Sequence, residues 1–158
     1  MATPINAGTS YFTFDGRGRL TQRCAALSSG EGELATYQLD HADNRSNYTN
    51  ARTDVALYAN QAIYSPSGNT ELVMQGDSNF VLYRNTGSGW SPTWWTNTVG
   101  TGASVAYFQS DGNLVLYTPQ GMPVWWTGTQ SPCAGIAVTD GGKVTITNTS
   151  GAVIWSAP

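Results

Sequence analysis

A chain of 158 residues with 6 Trp, 8 Tyr and 4 Phe has the length of one domain and enough aromatic surface to close a core, which excludes a two-domain enzyme and a disordered chain. Only 11% of positions are charged, the net charge is −3 and the arginines are scattered, so the basic footprint that nucleic acid requires is missing. No apolar run reaches the ~18 residues of a membrane span, and the start carries no signal-peptide pattern; membrane insertion is not expected, and the chain reads as cytosolic or as a mature secreted form.

In chain order, the first candidate element is a hairpin over residues 11–20, where Tyr11, Phe12 and Phe14 precede Asp15-Gly16 and Leu20 follows. Cys24 comes next; it and Cys133 either pair or remain free thiols. Residues 40–52 are polar and read as loop. Within them His41 has no Ser or Cys partner in a recognisable motif, so it reads as a surface or packed residue rather than a catalytic one. Asn44, Asn47 and Asn148 begin glycosylation triplets of the kind that chance produces in an Asn- and Thr-rich chain.

Beyond residue 70 the chain repeats. Residues 75–83 and 109–117 both read Q-x-D-x-N-x-V-x-Y, and a fainter copy runs through Val138, Asp140, Gly142, Val144 and Ile146. Each copy leads to a Trp: Trp94-Trp95, Trp125-Trp126 and Trp155. Alternating β-branched and aromatic residues around Asp111-Gly112 or Asp140-Gly141 signal hairpins, and helix signals are weak throughout. The expectation is an all-β domain of three similar antiparallel sheets about one axis, filled by Trp94, Trp125 and Trp155, with Trp95 and Trp126 pointing outward.

A straight strand over nine residues would span ~27 Å or more, too far for its polar groups to meet around one ligand, so each motif must turn. A turn at Asp111-Gly112-Asn113 sets Gln109 opposite Val115 and gathers the motif residues on one face. Phe108, Leu114 and Leu116, like Met74, Phe80 and Leu82, then form the core face. The outer faces present Gln75, Asp77, Asn79, Val81 and Tyr83 in one copy and Gln109, Asp111, Asn113, Val115 and Tyr117 in the other. One carboxylate, two amides, a phenol and a methyl-bearing Val suit vicinal hydroxyls and the C–H surface of a neutral sugar. Glycoside hydrolysis needs two carboxyl groups across the bond and each motif has one, so binding without catalysis is expected. The acids are too dispersed for a calcium site, and neither metal nor cofactor is expected.

At these residues the sequence resembles the bulb-type mannose-binding lectins of monocots, the snowdrop-agglutinin-like family. The resemblance covers about residues 54–158 and implies a β-prism II fold of three four-stranded sheets; residues 1–53 have no family counterpart and are expected to form an N-terminal extension packing on the lectin domain. It implies that Asp77 and Asn79, like Asp111 and Asn113, bond the 2-hydroxyl of mannose, that Gln75 and Gln109 hold the 3-hydroxyl, that Tyr83 and Tyr117 hold the 4-hydroxyl, and that Val81 and Val115 pack on the ring. The family binds without metal, so the implied partners are mannose-containing glycans or glycoproteins, with homo-oligomers left open. Ser78 stands where the family has a disulfide cysteine, Cys133 lies near the family's other cysteine position, and three residues after Trp155 make a short arm for the strand exchange that builds many family dimers. The rival reading is a lectin-like scaffold that acts through protein contacts or as a defence or toxin protein, using Trp95, Trp126 and the extension.

The third copy reads as inverted. Ile136, Val138, Val144 and Ile146 fall on the sugar face unless the register slips by one. Without a slip they form an apolar strip, which the extension, through Tyr11, Phe12, Phe14 and Leu20 and with Cys24 near Cys133, or failing that a second subunit, is expected to cover, so that no sugar binds there.

Overall fold

The computed structural model describes residues 55–158, Cys24 and the backbone of four strands before them. Those strands, β1 (Ser10–Phe14), β2 (Leu20–Ala26), β3 (Gly32–Leu39) and β4 (Arg45–Arg52), form an antiparallel sheet in chain order. The hairpin expected over residues 11–20 is present, with Phe14 opposite Leu20. The loop expected over residues 40–52 is not, because β4 runs through most of it, paired with β3 from Arg45↔Leu39 to Arg52↔Glu33. A neighbouring strand supplies the ladder whatever the side chains are, and that outweighs the low strand preference of Asn. His41, Asn44 and the side chains proposed to cover the third sheet lie outside the described residues.

The repeats build three sheets. Sheet I contains β6 (Gln61–Tyr64), β7 (Thr70–Met74), β8 (Phe80–Asn85) and β9 (Trp90–Trp95), in that order. Sheet II has the order β12-β11-β10-β5, from β5 (Val55–Tyr58), β10 (Val105–Phe108), β11 (Leu114–Tyr117) and β12 (Pro123–Trp126). Sheet III has three strands among the described residues, β13 (Gly135–Val138), β14 (Val144–Thr147) and β15 (Val153–Ala157). This is the expected all-β, β-prism II arrangement, with sheet III one strand short of the expected four.

Period-2 alternation turns one face of every sheet inward. Leu72, Met74, Phe80, Leu82, Phe108, Leu114 and Leu116 are all at most 3% exposed and form one cluster with Val138, Val144 and Ile146. Trp94, Trp125 and Trp155 pack on it and on one another edge to face, with ring centroids 5.7–6.2 Å apart, as expected of one aromatic per sheet about a shared axis. The last strand of each sheet shifts register by one residue, at Thr93, Val124 and Ile154.

The register explains the third copy. In each hairpin the residue in the left-handed region is the fixed point: Ser78 (φ 79°), Gly112 (φ 87°) and Gly142 (φ 80°). Matching Gly142 to Gly112 puts Val138, Val144 and Ile146 inward, where they are 7%, 0% and 0% exposed, and Ile136 packs against the same core. The one-residue slip is therefore present, and the apolar surface strip does not exist.

Candidate functional site

The hairpin turns sit one residue earlier than expected. Gln109 N–H donates to Asn113 O (2.8 Å), Gly112 N–H donates to Gln109 O (2.9 Å), and Tyr107, not Gln109, lies opposite Val115. The turn is centred on Asp111, one residue earlier than the Asp-Gly-Asn reading, and moving a hairpin's centre by one moves its pairing by two. The same geometry holds for Gln75, Asn79 and Ser78, with bonds of 2.8 and 3.2 Å.

The tight turn brings the polar motif residues together in both sheets. Asp77 Oδ1 accepts from Asn79 N–H (3.0 Å), and Asp111 Oδ1 accepts from Asn113 N–H (2.9 Å). One carboxylate oxygen thus fixes the loop and the other is left to meet a ligand. Gln75 Nε2 donates to the Tyr83 hydroxyl (3.0 Å), and Gln109 Nε2 donates to the Tyr117 hydroxyl (3.1 Å). Each pair keeps an amide oxygen that accepts and a phenolic proton that donates.

The asparagines are clamped from behind by threonines that the site reading did not include. Asn79 Oδ1 lies 3.2 Å from the Thr96 hydroxyl and accepts from Thr98 N–H (3.3 Å); Asn113 Oδ1 lies 3.1 Å from the Thr127 hydroxyl and accepts from Gly128 N–H (3.0 Å). The Thr96 and Thr127 hydroxyls are the donors in those bonds, Thr98 donates to Ser78 O and Thr129 to Gly112 O, both at 2.7 Å, and the paired threonine hydroxyls lie 2.6 and 2.7 Å apart. With its oxygen committed, each Asn presents Nδ2 as the outward donor. The Thr-x-Thr after Trp95 and Trp126 was the sequence signal for this support.

Val81 and Val115 sit on the same outer faces but are only 3% exposed, opposite the exposed Trp95 and Trp126 in the ladders. They offer a methyl edge rather than a platform. Trp95 is oriented by its Nε1 donating to Asn97 Oδ1 (2.6 Å).

Sheet III lacks this set. At the positions of Gln, Asp, Asn, Val and Tyr it carries Thr139, Gly141, Lys143, Thr145 and Thr147, and Thr139 uses its hydroxyl to close its own turn. Asp140, read as a retained motif carboxylate, instead accepts from the N–H and hydroxyl of Ser67 at 2.9 and 2.7 Å.

The faces of sheets I and II differ beyond the motif. On sheet I, Tyr64 donates to Glu71 Oε1 (3.1 Å), and this bond, followed by the carboxylate's charge, holds the phenol above its ordinary pKa. On sheet II the matching positions are Tyr58 and Val105, and a groove of about 570 Å³ opens there beside Gln109 and Tyr117. Among the described residues no cluster of three or more His, Cys, Asp or Glu is placed to hold a metal ion. Cys24 and Cys133 are joined in a disulfide with Cα atoms 5.9 Å apart.

No family model matches the chain. It is 32% identical over 104 residues to the B-type lectin plumieribetin of Scorpaena plumieri, an alignment spanning 64% of this chain and 87% of that protein. It is 33% identical over 111 residues to a mannose-specific lectin of Aloe arborescens, spanning 65% of this chain and 95% of that one. Among solved structures, the Polygonatum cyrtonema lectin complexed with a monomannoside matches with a TM-score of 0.52 and 31% identity, over 64% of this chain and 87% of that one.

Proposed function

The chain belongs to the bulb-type lectin family, and on that premise we propose that it binds terminal α-mannose of glycans or glycoproteins, without metal and without turnover, through the outer faces of sheets I and II. Residues 54–158 form the lectin domain, and residues 1–53 are an extension fastened to it through Cys24 and Cys133.

The observation that carries the reading is the duplication of one set of oriented polar atoms. The Gln–Tyr bond and the Asp–Asn turn bond recur at 3.0 and 3.0 Å in sheet I and at 3.1 and 2.9 Å in sheet II. A carboxylate oxygen beside an amide N–H receives the 2-hydroxyl as donor and acceptor at once, the Gln oxygen takes the 3-hydroxyl, and the Tyr proton reaches the 4-hydroxyl. No step here needs a cation.

Turnover has no support from the same atoms. Glu71, the other carboxylate on the face of sheet I, lies opposite Tyr83 and four strand residues, about 13 Å, before Gln75, where the turn that carries Asp77 begins. It is also bonded to Tyr64.

Titration with methyl α-mannoside tests the proposal. Wild type should show two sites, Asp111→Ala (D111A) should weaken the sheet II site by ~1.5–3 kcal/mol while sparing sheet I, and the D77A/D111A double variant should not bind. Methyl α-glucoside, which differs only in the configuration at the 2-hydroxyl, should bind more weakly to wild type. A double variant that titrates like wild type would refute the assignment.

A further inference from the structure

The two motif turns are backed by equivalent stretches of chain. Behind sheet II, Ser131 N–H donates to Asp111 O (2.7 Å); behind sheet I, Gly100 N–H donates to Asp77 O (2.9 Å). Two residues further on, each stretch bends through a left-handed position, which is Gly102 (φ 82°) behind sheet I and Cys133 (φ 67°) behind sheet II. Glycine adopts that conformation freely, whereas a residue with a Cβ keeps it only where its surroundings hold it there. At Cys133 the surroundings include the bond to Cys24. These are the chain's two cysteines, so no such bond lies behind sheet I.

Cys133 belongs to the same turn as the residue that touches the motif. Ala134 N–H donates to Ser131 O (3.0 Å), which closes Ser131-Pro132-Cys133-Ala134 with proline second and the left-handed residue third, the place where a type II turn takes glycine. Ser131 opens that turn and presses backbone on backbone against the motif, because a Cβ on Gly112 would lie 2.2 Å from Ser131 O. Asp111 and Gly112 are therefore held from outside by one end of a turn whose third residue is covalently tied. The other end of the tie is firm. Cys24 lies on β2, an inner strand, where its rung partners are Tyr11 of β1 and Leu34 of β3.

We propose that the Cys24–Cys133 bond is a redox control on one of the two sugar sites: oxidised, it holds Cys133 in its left-handed turn and keeps the Asp111 loop in binding geometry; reduced, it releases that turn and weakens the sheet II site alone. This rests on the mannose reading of the motif. A dithiol reductant supplies the chemistry. Its two thiols give up two electrons and two protons, the S–S bond breaks, each cysteine sulfur takes one proton, and the reductant leaves as its own disulfide. Both cysteines are half-buried rather than sealed in the core. Once released, Cys133 relaxes toward the negative φ that side-chain-bearing residues prefer, and the change passes through Pro132 to Ser131. Ser131 N–H grips the backbone oxygen of the residue whose carboxylate meets the 2-hydroxyl, so a shift there re-aims that carboxylate. Ser131 and Cys133 are positioning residues that act through Asp111. Sheet I does not respond, because Gly102 stays left-handed without a bond.

The test titrates each site alone with methyl α-mannoside. D77A leaves only the sheet II site and D111A only the sheet I site, and each protein is measured oxidised and after dithiothreitol, with thiol counting to verify that the bond has opened. Reduction should weaken the D77A protein about three- to tenfold and leave the D111A protein unchanged, which also shows that the reduced lectin domain is folded. In the D77A protein, Cys24→Ser/Cys133→Ser should reproduce the reduced affinity. Cys24→Ser/Cys133→Gly should restore the oxidised one, because glycine keeps the turn without the bond. A D77A affinity that reduction does not change, an equal weakening of both proteins, or a glycine pair as weak as the serine pair overturns the redox control alone. An oxidised D77A protein that does not bind methyl α-mannoside overturns the mannose reading of sheet II together with this inference.

Discussion

Asp140 reaches Ser67 across 73 positions of sequence, accepting both its backbone N–H at 2.9 Å and its hydroxyl at 2.7 Å, so that the hairpin turn of sheet III is latched to the first turn of sheet I. The Asp140 backbone oxygen adds a bond from Asn69 Nδ2 at 3.3 Å. These donors hold the carboxyl below its ordinary pKa, the Ser67 N–H most, then the Ser67 hydroxyl, then the Ser65 side chain.

A carboxyl whose folded pKa lies below its unfolded value of ~3.9 stabilises the fold at higher pH, and that contribution fades as pH falls through the folded pKa. Wild type should therefore melt above Asp140→Asn by a gap that is constant above about pH 5 and closes in more acidic solution. Thermal unfolding of both proteins from neutral to acidic pH checks this. A gap that does not change with pH would mean that the latch does not depend on charge.

The left-handed positions of the two motif hairpins respond oppositely to substitution. A Cβ on Gly112 would come within 2.2 Å of Ser131 O, and φ is 87°, so Gly112→Ala should cost about 2–4 kcal/mol. Ser78 already bears a Cβ at φ 79°, and Ser78→Gly should gain about 0.5–1 kcal/mol by releasing that strain. Urea unfolding measures both, and equal effects of one sign would contradict the register that places them in equivalent turns.

The Cys24–Cys133 bond joins residues 109 positions apart. Closing so long a loop restricts the unfolded chain, so the Cys24→Ser/Cys133→Ser variant should lose about 3–5 kcal/mol of stability. Mannoside binding at Asp77 should survive, since Cys133 lies just before β13 of sheet III, outside the strands of sheet I. Unfolding with and without reductant, followed by titration, separates the two effects, and an unchanged midpoint would show that the extension contributes nothing through this bond.

The repeat, both core faces and the split of the tryptophan pairs into inward and outward members were legible in the sequence, because each depends on alternation alone. The turn centre was not. Asp111-Gly112 looks like a midpoint, but hairpin geometry is anchored by the left-handed residue, which is the Gly in that copy and Ser78 in the other. The same ambiguity misaligned the third copy, where Asp140-Gly141 imitates Asp111-Gly112 while Gly142 takes the left-handed place. The groove of sheet II was invisible for a different reason. Tyr58 and Tyr117 are brought together by a strand inserted between them, and no local pattern reports which strand that is.

Three sheets that share one tryptophan-filled axis turn their outer faces in different directions. A glycan held on sheet I and one held on sheet II therefore leave the molecule along divergent paths, and a short branched sugar is poorly placed to reach both. Two separate particles can. With both faces occupied as proposed, one chain bridges two surfaces without a second subunit.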